Sequence, residues 1–179
     1  MTDLAGKRIA IIATDFFEEP ELIVPRDRLR EAGAEVGVYS AGGEPIQAMQ
    51  GDTEPTRKVE VDGTFDDVDV ARTDVLVVPG GTVNADRIRL EAKAQELVRA
   101  FDEADKPLAL ICHGPWLLIS AGRASGRRLT SWPSLADDLR NAGATWSDEQ
   151  VVVDGNLITS RKPDDLPAFV DAIQRAIAG

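Results

Sequence analysis

The chain has 179 residues, enough for one well-buried domain and short for two, so we expect a single domain over residues 1–179. Its formal net charge of -11 disfavours phosphate backbones and anionic lipids, and no apolar run is long enough to span a bilayer, so we expect neither nucleic-acid nor membrane partners. One cysteine excludes an internal disulfide, and the first residues lack a signal-peptide pattern, so we expect a cytoplasmic protein.

Apolar runs alternate with amphipathic stretches along the chain, which is typical of strands separated by helices. The run "KPLALIC" is the most apolar of the predicted strands, and "DGN" at 154–156 supplies the turn of a predicted hairpin. In chain order we predict a strand over 7–13, a helix over 19–33, a strand over 35–40, an edge or hairpin strand over 57–65, a buried run over 74–81, a helix over 92–104, a strand over 106–112, helices over 114–121 and 134–142, a hairpin over 150–160 and a helix over 163–178.

Strands that are apolar along their whole length predict a mostly parallel sheet with helices on both faces. The expected fold is a single-domain, flavodoxin-like, three-layer α/β sandwich. Ligands bind such sheets beyond the carboxyl ends of the strands. Three segments reach that edge: residues 14–19, 79–81 and 112–114.

The segment "ALICHGPWLL" holds the only cysteine and the only histidine of the chain, Cys112 and His113. A thiol between a strand and a helix feels the positive end of the helix dipole, which lowers its pKa and favours a nucleophile. The turn resembles a nucleophile elbow, although Leu110 stands where that motif has its first glycine. The alternatives are an inert buried cysteine and a histidine held only for packing.

Two further groups of residues reach the same edge. The backbone amides of Gly80 and Gly81, with that of His113, can form an oxyanion hole, although two glycines also suit a tight turn. Three acidic residues open the first helix, where such residues are ordinary partners of the helix dipole: Glu18, Glu19 and Glu21. One of them leaning over the sulfur would have a raised pKa and would donate a hydrogen bond to a thiolate.

The motifs "FEEPEL", "LVVPGG", "LALICHGPWLLISAG" and "LTSWPSLADDLRNAGATW" resemble the PfpI-type intracellular proteases of the DJ/PfpI superfamily, and the likeness covers nearly the whole chain. The resemblance implies Cys112 as nucleophile, His113 as its neighbouring histidine and Glu18 as the carboxyl that hydrogen-bonds the sulfur. It also implies a third triad member from a neighbouring subunit. The best-aligned acid is Asp86, which is shorter than the family's glutamate and lies in a loop one residue longer.

This likeness implies a cysteine-dependent, hydrolase-like enzyme that protects against stress and needs no cofactor. The implied substrates are small reactive carbonyls or their protein adducts, as for a deglycase or a glutathione-independent glyoxalase, or else peptides. A triad shared between subunits implies a homodimer or a higher homo-oligomer. The alternative function is an oxidative-stress sensor or chaperone-like protein that uses an oxidisable Cys112.

A single histidine also excludes two kinds of site. A Cys/His/Cys zinc cluster cannot form, so we expect no metal. The glutamine amidotransferases of the same superfamily need a histidine far beyond the nucleophile, and none follows His113.

Overall fold

The structure, a computed structural model, describes residues 3–178, which form six α-helices and twelve strands. The helices are α1 (Glu19–Glu31), α2 (Thr82–Ile88), α3 (Ala92–Glu103), α4 (Pro115–Ser120), α5 (Ala136–Asn141) and α6 (Leu166–Ile177). The strands are β1 (Arg8–Ile12), β2 (Phe17–Glu18), β3 (Glu35–Ser40), β4 (Ile46–Gln50), β5 (Glu54–Val59), β6 (Gly63–Thr64), β7 (Val75–Val78), β8 (Leu108–Ile111), β9 (Arg128–Leu129), β10 (Thr145–Trp146), β11 (Val151–Asp154) and β12 (Leu157–Ser160).

Seven strands form the central sheet in the order β11-β12-β8-β7-β1-β3-β6. Every neighbouring pair is parallel except β11 with β12, which form the predicted hairpin. Parallel neighbours need crossover connections, which helices supply for β1, β3, β7, β8 and β12, whereas β4 and β5 connect β3 to β6. The predicted mostly parallel α/β sandwich is confirmed.

Helices cover both faces of this sheet, and alternate residues of one strand point to the two sides. Ile11 packs in one apolar cluster with α1 and α6, where Phe169 is fully buried. The next residue, Ile12, packs in a second cluster with α2 to α5, where Phe101 is fully buried. Each such side chain stabilises the fold by about 1.5–3 kcal/mol. The continuous apolar runs of the sequence therefore reflect burial on both faces.

The region between β3 and β7 differs from the prediction. The single strand predicted over 57–65 is wrong, because β5 and β6 belong to different sheets. β6 extends the central sheet beside β3, whereas β5 pairs antiparallel with β4. β4 also pairs with β2, giving a small three-stranded sheet. Neither β4 nor α2 was predicted from the sequence.

The carboxyl ends of β1, β7 and β8 lie side by side at one edge of the sheet, as the sequence predicts. The loop after β1, the glycines after β7 and the turn after β8 therefore meet there. The small sheet places its β4–β5 turn over the same edge, as shown by contacts of that turn with β2 and α2. Within residues 3–178, none of the helices has the length and apolar character that crossing a membrane requires.

Candidate active site

Cys112 occupies the sharp turn that joins β8 to α4. Its φ is 62°, a left-handed value that is unfavourable for a residue with a side chain. A Cβ on Gly114 would lie 2.9 Å from the carbonyl oxygens of Ile111 and Val78, so the turn requires glycine there. This is the strained strand-to-helix geometry of a nucleophile elbow.

His113 and Cys112 point at each other. The His113 Nδ1 atom lies 3.3 Å from Sγ of Cys112. Trp132 stacks on the imidazole with ring centroids 6.1 Å apart, and Trp116 meets it edge-on at 5.3 Å. The buried imidazole is therefore held on two sides by apolar rings, within reach of the thiol.

The carboxyl beside the sulfur belongs to Glu21, and this corrects the expectation for Glu18. Glu21 is completely buried on α1 and shares a hydrogen bond with the Cys112 thiol. Its Oε2 atom accepts the Gly80 amide at 2.7 Å, and among residues 3–178 its Oε1 atom has no nitrogen or oxygen partner. Burial is the main cause that raises the pKa of Glu21 to about 8. Glu21 is therefore mostly protonated at neutral pH.

Glu18 faces a different part of the cavity. Its carboxylate accepts the Gly51 amide at 2.9 Å and also the amide of Asp52, in the turn between β4 and β5. Burial raises the pKa of Glu18, and the two amide hydrogen bonds oppose that rise. The physical reason for the difference from Glu21 is position, because Glu18 precedes the helix whereas Glu21 lies on its buried side. Glu18 therefore anchors the turn over the site.

The second ring nitrogen of His113 also has a partner. Its Nε2 atom lies 3.3 Å from Oγ1 of Thr82, the first residue of α2. That hydroxyl donates to Oδ2 of Asp52 at 2.5 Å, and Oδ1 of Asp52 accepts the Thr82 amide at 2.8 Å. A continuous series of contacts therefore runs from the sulfur through imidazole and hydroxyl to a carboxylate.

The three amides predicted for an oxyanion hole do not face the same group. The Gly80 amide is taken by Glu21, as described above. The amides of Gly81 and His113 hydrogen-bond the Cys112 sulfur. Of the three amides, only these two point at the sulfur. A Cβ on Gly80 would lie 2.6 Å from Cβ of Cys112, so a glycine is needed for this close approach.

The expected low pKa of Cys112 is not what the site produces. Burial of the thiol raises its pKa well above the usual value, and the charge that Glu21 carries once it is ionised, above its own pKa of about 8, adds to the rise. The helix that follows has only six residues, and the amides of Gly81 and His113 lower the pKa by less than burial raises it. Burial also lowers the pKa of His113, although the Asp52 charge opposes this. The pair therefore rests as neutral thiol and neutral imidazole.

Asp86 lies on α2 with an exposed side chain. None of the hydrogen bonds or ion pairs found among residues 3–178 joins it to His113. Its role as a triad member supplied by a second subunit stays a prediction.

The described groups surround a cavity of about 270 Å³. It is lined by Cys112, His113 and Gly81, and the remaining lining residues are Glu18, Glu21, Gly51, Asp52, Trp132 and Pro163. Among residues 3–178 there is no cluster of three or more histidine, cysteine or acidic side chains arranged to hold a metal ion. A cavity of this size fits a small substrate better than a folded protein.

Sequence reasoning missed four residues around Cys112 and His113, which are Asp52, Thr82, Trp116 and Trp132. It also assigned the role of the carboxyl beside the sulfur to the wrong glutamate. Glu21 had a usable signal, because it precedes the buried Pro25 and Leu29 at successive intervals of four residues. Trp116 and Trp132 had no sequence signal beyond being aromatic. Thr82 and Asp52 had none either, because threonine and aspartate are common in turns.

Comparisons with known proteins agree with this fold. The DJ-1/PfpI family profile matches residues 7–176. A protein of Pyrococcus abyssi described as Deglycase PYRAB04690 is 46% identical over 163 residues, covering 91% of this chain and 95% of the relative. A Bacillus subtilis protein described as Putative cysteine protease YraA is 39% identical, covering 92% and 94%. The crystal structure of Drosophila melanogaster DJ-1beta superposes with a TM-score of 0.89 at 33% identity, covering 97% of this chain and 91% of that one. The chain belongs to the DJ-1/PfpI family.

Proposed function

We propose that this chain is a cysteine-dependent hydrolase of the deglycase type that acts on small reactive carbonyls or on their adducts with proteins. The observation that carries the proposal is the 3.3 Å contact between Cys112 Sγ and His113 Nδ1 in the lining of a small cavity. A nucleophile and base within hydrogen-bond reach are the signature of covalent catalysis. The deglycase and cysteine-protease descriptions of the relatives support the same class of chemistry.

The first step transfers the Cys112 proton to Nδ1 of His113 while the sulfur attacks the carbonyl carbon. The new oxyanion faces the Gly81 and His113 amides and takes the proton back from the imidazole, giving a hemithioacetal. With a dicarbonyl, the neutral imidazole then moves the C–H proton of the hemithioacetal carbon to the adjacent carbonyl carbon, and the hemithioacetal hydroxyl proton passes to the oxygen of that carbonyl, which leaves a 2-hydroxy thioester. Water cleaves the thioester and releases a 2-hydroxy acid and the free thiol, so no external oxidant or reductant is needed.

Purified wild-type and Cys112→Ser proteins test this function. We expect loss of methylglyoxal, and release of free arginine or cysteine from their methylglyoxal adducts, to fall at least about 1000-fold in the variant, because a serine hydroxyl is a far weaker nucleophile. Cleavage of a fluorogenic peptide, measured in parallel, tests the peptidase alternative. Unchanged carbonyl turnover in Cys112→Ser would refute the proposal.

Oxidative sensing through Cys112 is the second candidate. Sensor cysteines are accessible and have a low pKa, whereas Cys112 is buried and its pKa is raised. The site therefore favours the enzyme. Intact-mass measurement under mild peroxide separates the two, because a sensor adds oxygen at Cys112 before any other residue.

We also propose a cytoplasmic location and a homo-oligomer. A single cysteine suits a reducing compartment. The exposed Leu90, 78% accessible just beyond α2, offers an apolar surface for a second copy close to Asp86. Sedimentation of wild type and Leu90→Glu tests this assembly, which a purely monomeric wild type would contradict.

A further inference from the structure

We infer that Asp52 and Thr82 are positioning residues that fix the tautomer of His113 from within the same chain. They hold the proton on Nε2 and leave Nδ1 as the free base facing Cys112. The inference rests on the proposed function only in one respect, which is that the proposed reaction has His113 accept the thiol proton. The tautomer that these hydrogen bonds fix can be measured without any substrate.

The donor and acceptor properties of Asp52, Thr82 and His113 dictate the direction of the hydrogen bonds between them, a series that we call the relay. A carboxylate only accepts, so the single hydroxyl proton of Thr82 goes to Oδ2 of Asp52 at 2.5 Å. The Thr82 oxygen then has only lone pairs to offer Nε2 at 3.3 Å, so Nε2 of His113 must be the donor. A neutral imidazole carries one proton, so Nδ1 is unprotonated and accepts from the thiol.

Both ends of this relay are held in place. The Glu18 carboxylate accepts hydrogen bonds from two backbone amides, those of Gly51 and Asp52, in the turn that carries Asp52. α2, which carries Thr82, is fixed by the completely buried Asn84. The side-chain NH₂ group of Asn84 donates to the carbonyl oxygen of Gly80 at 2.9 Å. Its Oδ1 atom accepts a hydrogen bond from the backbone N–H of Thr14, in the loop after β1, at 2.7 Å.

The relay supplies inside one chain what the family resemblance expects from a neighbouring subunit. Asp52 lies at the solvent-exposed end of the relay, and its charge raises the pKa of His113 against the effect of burial. When His113 accepts the thiol proton, the carboxylate stabilises the imidazolium through the Thr82 oxygen. The orienting group of a triad performs the same task.

The lone histidine makes a direct test possible. Protein labelled with ¹⁵N-histidine gives ring-nitrogen signals from His113 alone, and their couplings to the ring protons identify the protonated nitrogen. We expect the Nε2–H tautomer in the wild type at neutral pH. The groups that face the ring and titrate are Cys112, Asp52, Glu18 and Glu21, so the spectrum is followed from acid to alkaline pH.

Asp52→Asn gives the most specific outcome. The Thr82 amide still needs an oxygen acceptor, which turns the new NH₂ group toward the Thr82 hydroxyl. The hydroxyl must then donate to His113, and the imidazole changes to the Nδ1–H tautomer. We expect this inversion together with a roughly 10- to 100-fold lower kcat and little change in KM.

Thr82→Val interrupts the relay, so we expect a mixture of tautomers, and Thr82→Ser should restore the wild-type spectrum. Thr73→Val is the matched control, because it removes a hydroxyl that donates to a backbone carbonyl at the opposite end of the sheet. Unfolding curves establish that each variant is folded.

The outcomes separate this inference from the proposed function. An Nδ1–H tautomer in the wild type, or a wild-type spectrum in Asp52→Asn, would overturn the inference even if the enzyme turns over carbonyls. A spectrum that changes in Asp86→Asn but not in Asp52→Asn would overturn it in favour of a partner subunit's carboxylate. The predicted spectra without any turnover would leave the relay standing and refute the proposed function alone.

Discussion

Glu21→Gln tests the central electrostatic feature of the site, a carboxyl that is protonated at neutral pH. Glutamine has nearly the same shape as a protonated glutamic acid. Its oxygen can accept the Gly80 amide and its NH₂ group can donate toward the Cys112 sulfur, so the contacts of the neutral acid are kept. The substitution therefore removes one titration and little else.

The magnitude follows from the pKa of Glu21, which burial raises from 4.5 to about 8. The folded protein binds this proton more tightly than the unfolded chain does. Glu21 therefore costs no stability below pH 4.5, and the free energy of unfolding falls as the pH rises from there to about 8. At about 1.4 kcal/mol for each pH unit, the complete loss is about 5 kcal/mol, of which about 3 kcal/mol is lost by pH 7.

Urea unfolding of both proteins at pH 5, 6, 7 and 8 measures this loss. We expect Glu21→Gln to gain about 1.4 kcal/mol relative to wild type for each unit of pH, with the gain levelling off near pH 8. Glu18 titrates in both proteins and cancels in the difference, and Cys112 titrates above this window. Glu31→Gln, on the exposed end of α1, should keep the wild-type slope. Parallel curves for wild type and Glu21→Gln would refute a neutral carboxyl at this position.

Two further predictions concern packing and buried polar contacts. Gly80→Ala should lower the free energy of unfolding by about 1–3 kcal/mol and reduce turnover, because the added methyl would lie 2.6 Å from Cβ of Cys112; Gly42→Ala, with open space around it, should do neither. Arg127→Met should cost about 2 kcal/mol in urea unfolding, since the guanidinium, only 20% exposed, joins α3 to the β11–β12 turn. Arg128→Met, at 68% exposure, should cost less than about 1 kcal/mol, and equal losses for the two arginines would contradict this account.

The sequence predicts the middle of the central sheet well because β1, β7 and β8 are buried on both faces. β1, β7 and β8 appear as unbroken or nearly unbroken apolar runs, β3 alternates, and the ends of all four strands were predicted to within three residues. The small sheet could not be found in this way. Five of the six residues of β5 are exposed, so hydrophobic periodicity carries no signal there. β4 pairs with this exposed strand on one side and with β2 on the other, and the second pairing is a contact between distant parts of the chain.

The same limit explains which site residues could be predicted. Cys112 and His113 are rare residues at the end of the most apolar strand, so their position in the chain was informative. Glu21 could have been identified from the sequence by its four-residue spacing from buried neighbours. Asp52 was not, because it reaches the site only when the unpredicted β4–β5 turn folds over the sheet edge. A turn residue that acts through Thr82 leaves no pattern in the sequence.

The protonation states of the site determine when the nucleophile forms. Burial raises the pKa of Cys112 and lowers that of His113, so a separated thiolate and imidazolium are unfavourable in the empty cavity. Attack on a carbonyl removes this difficulty, because the negative charge passes from sulfur to the substrate oxygen as the bond forms. A neutral Glu21 adds no opposing charge, and Asp52 stabilises the imidazolium through Thr82. We therefore expect a thiol that reacts with an electrophile held in the cavity while it reacts slowly with peroxide, a difference that competition between the two reagents for Cys112 measures directly.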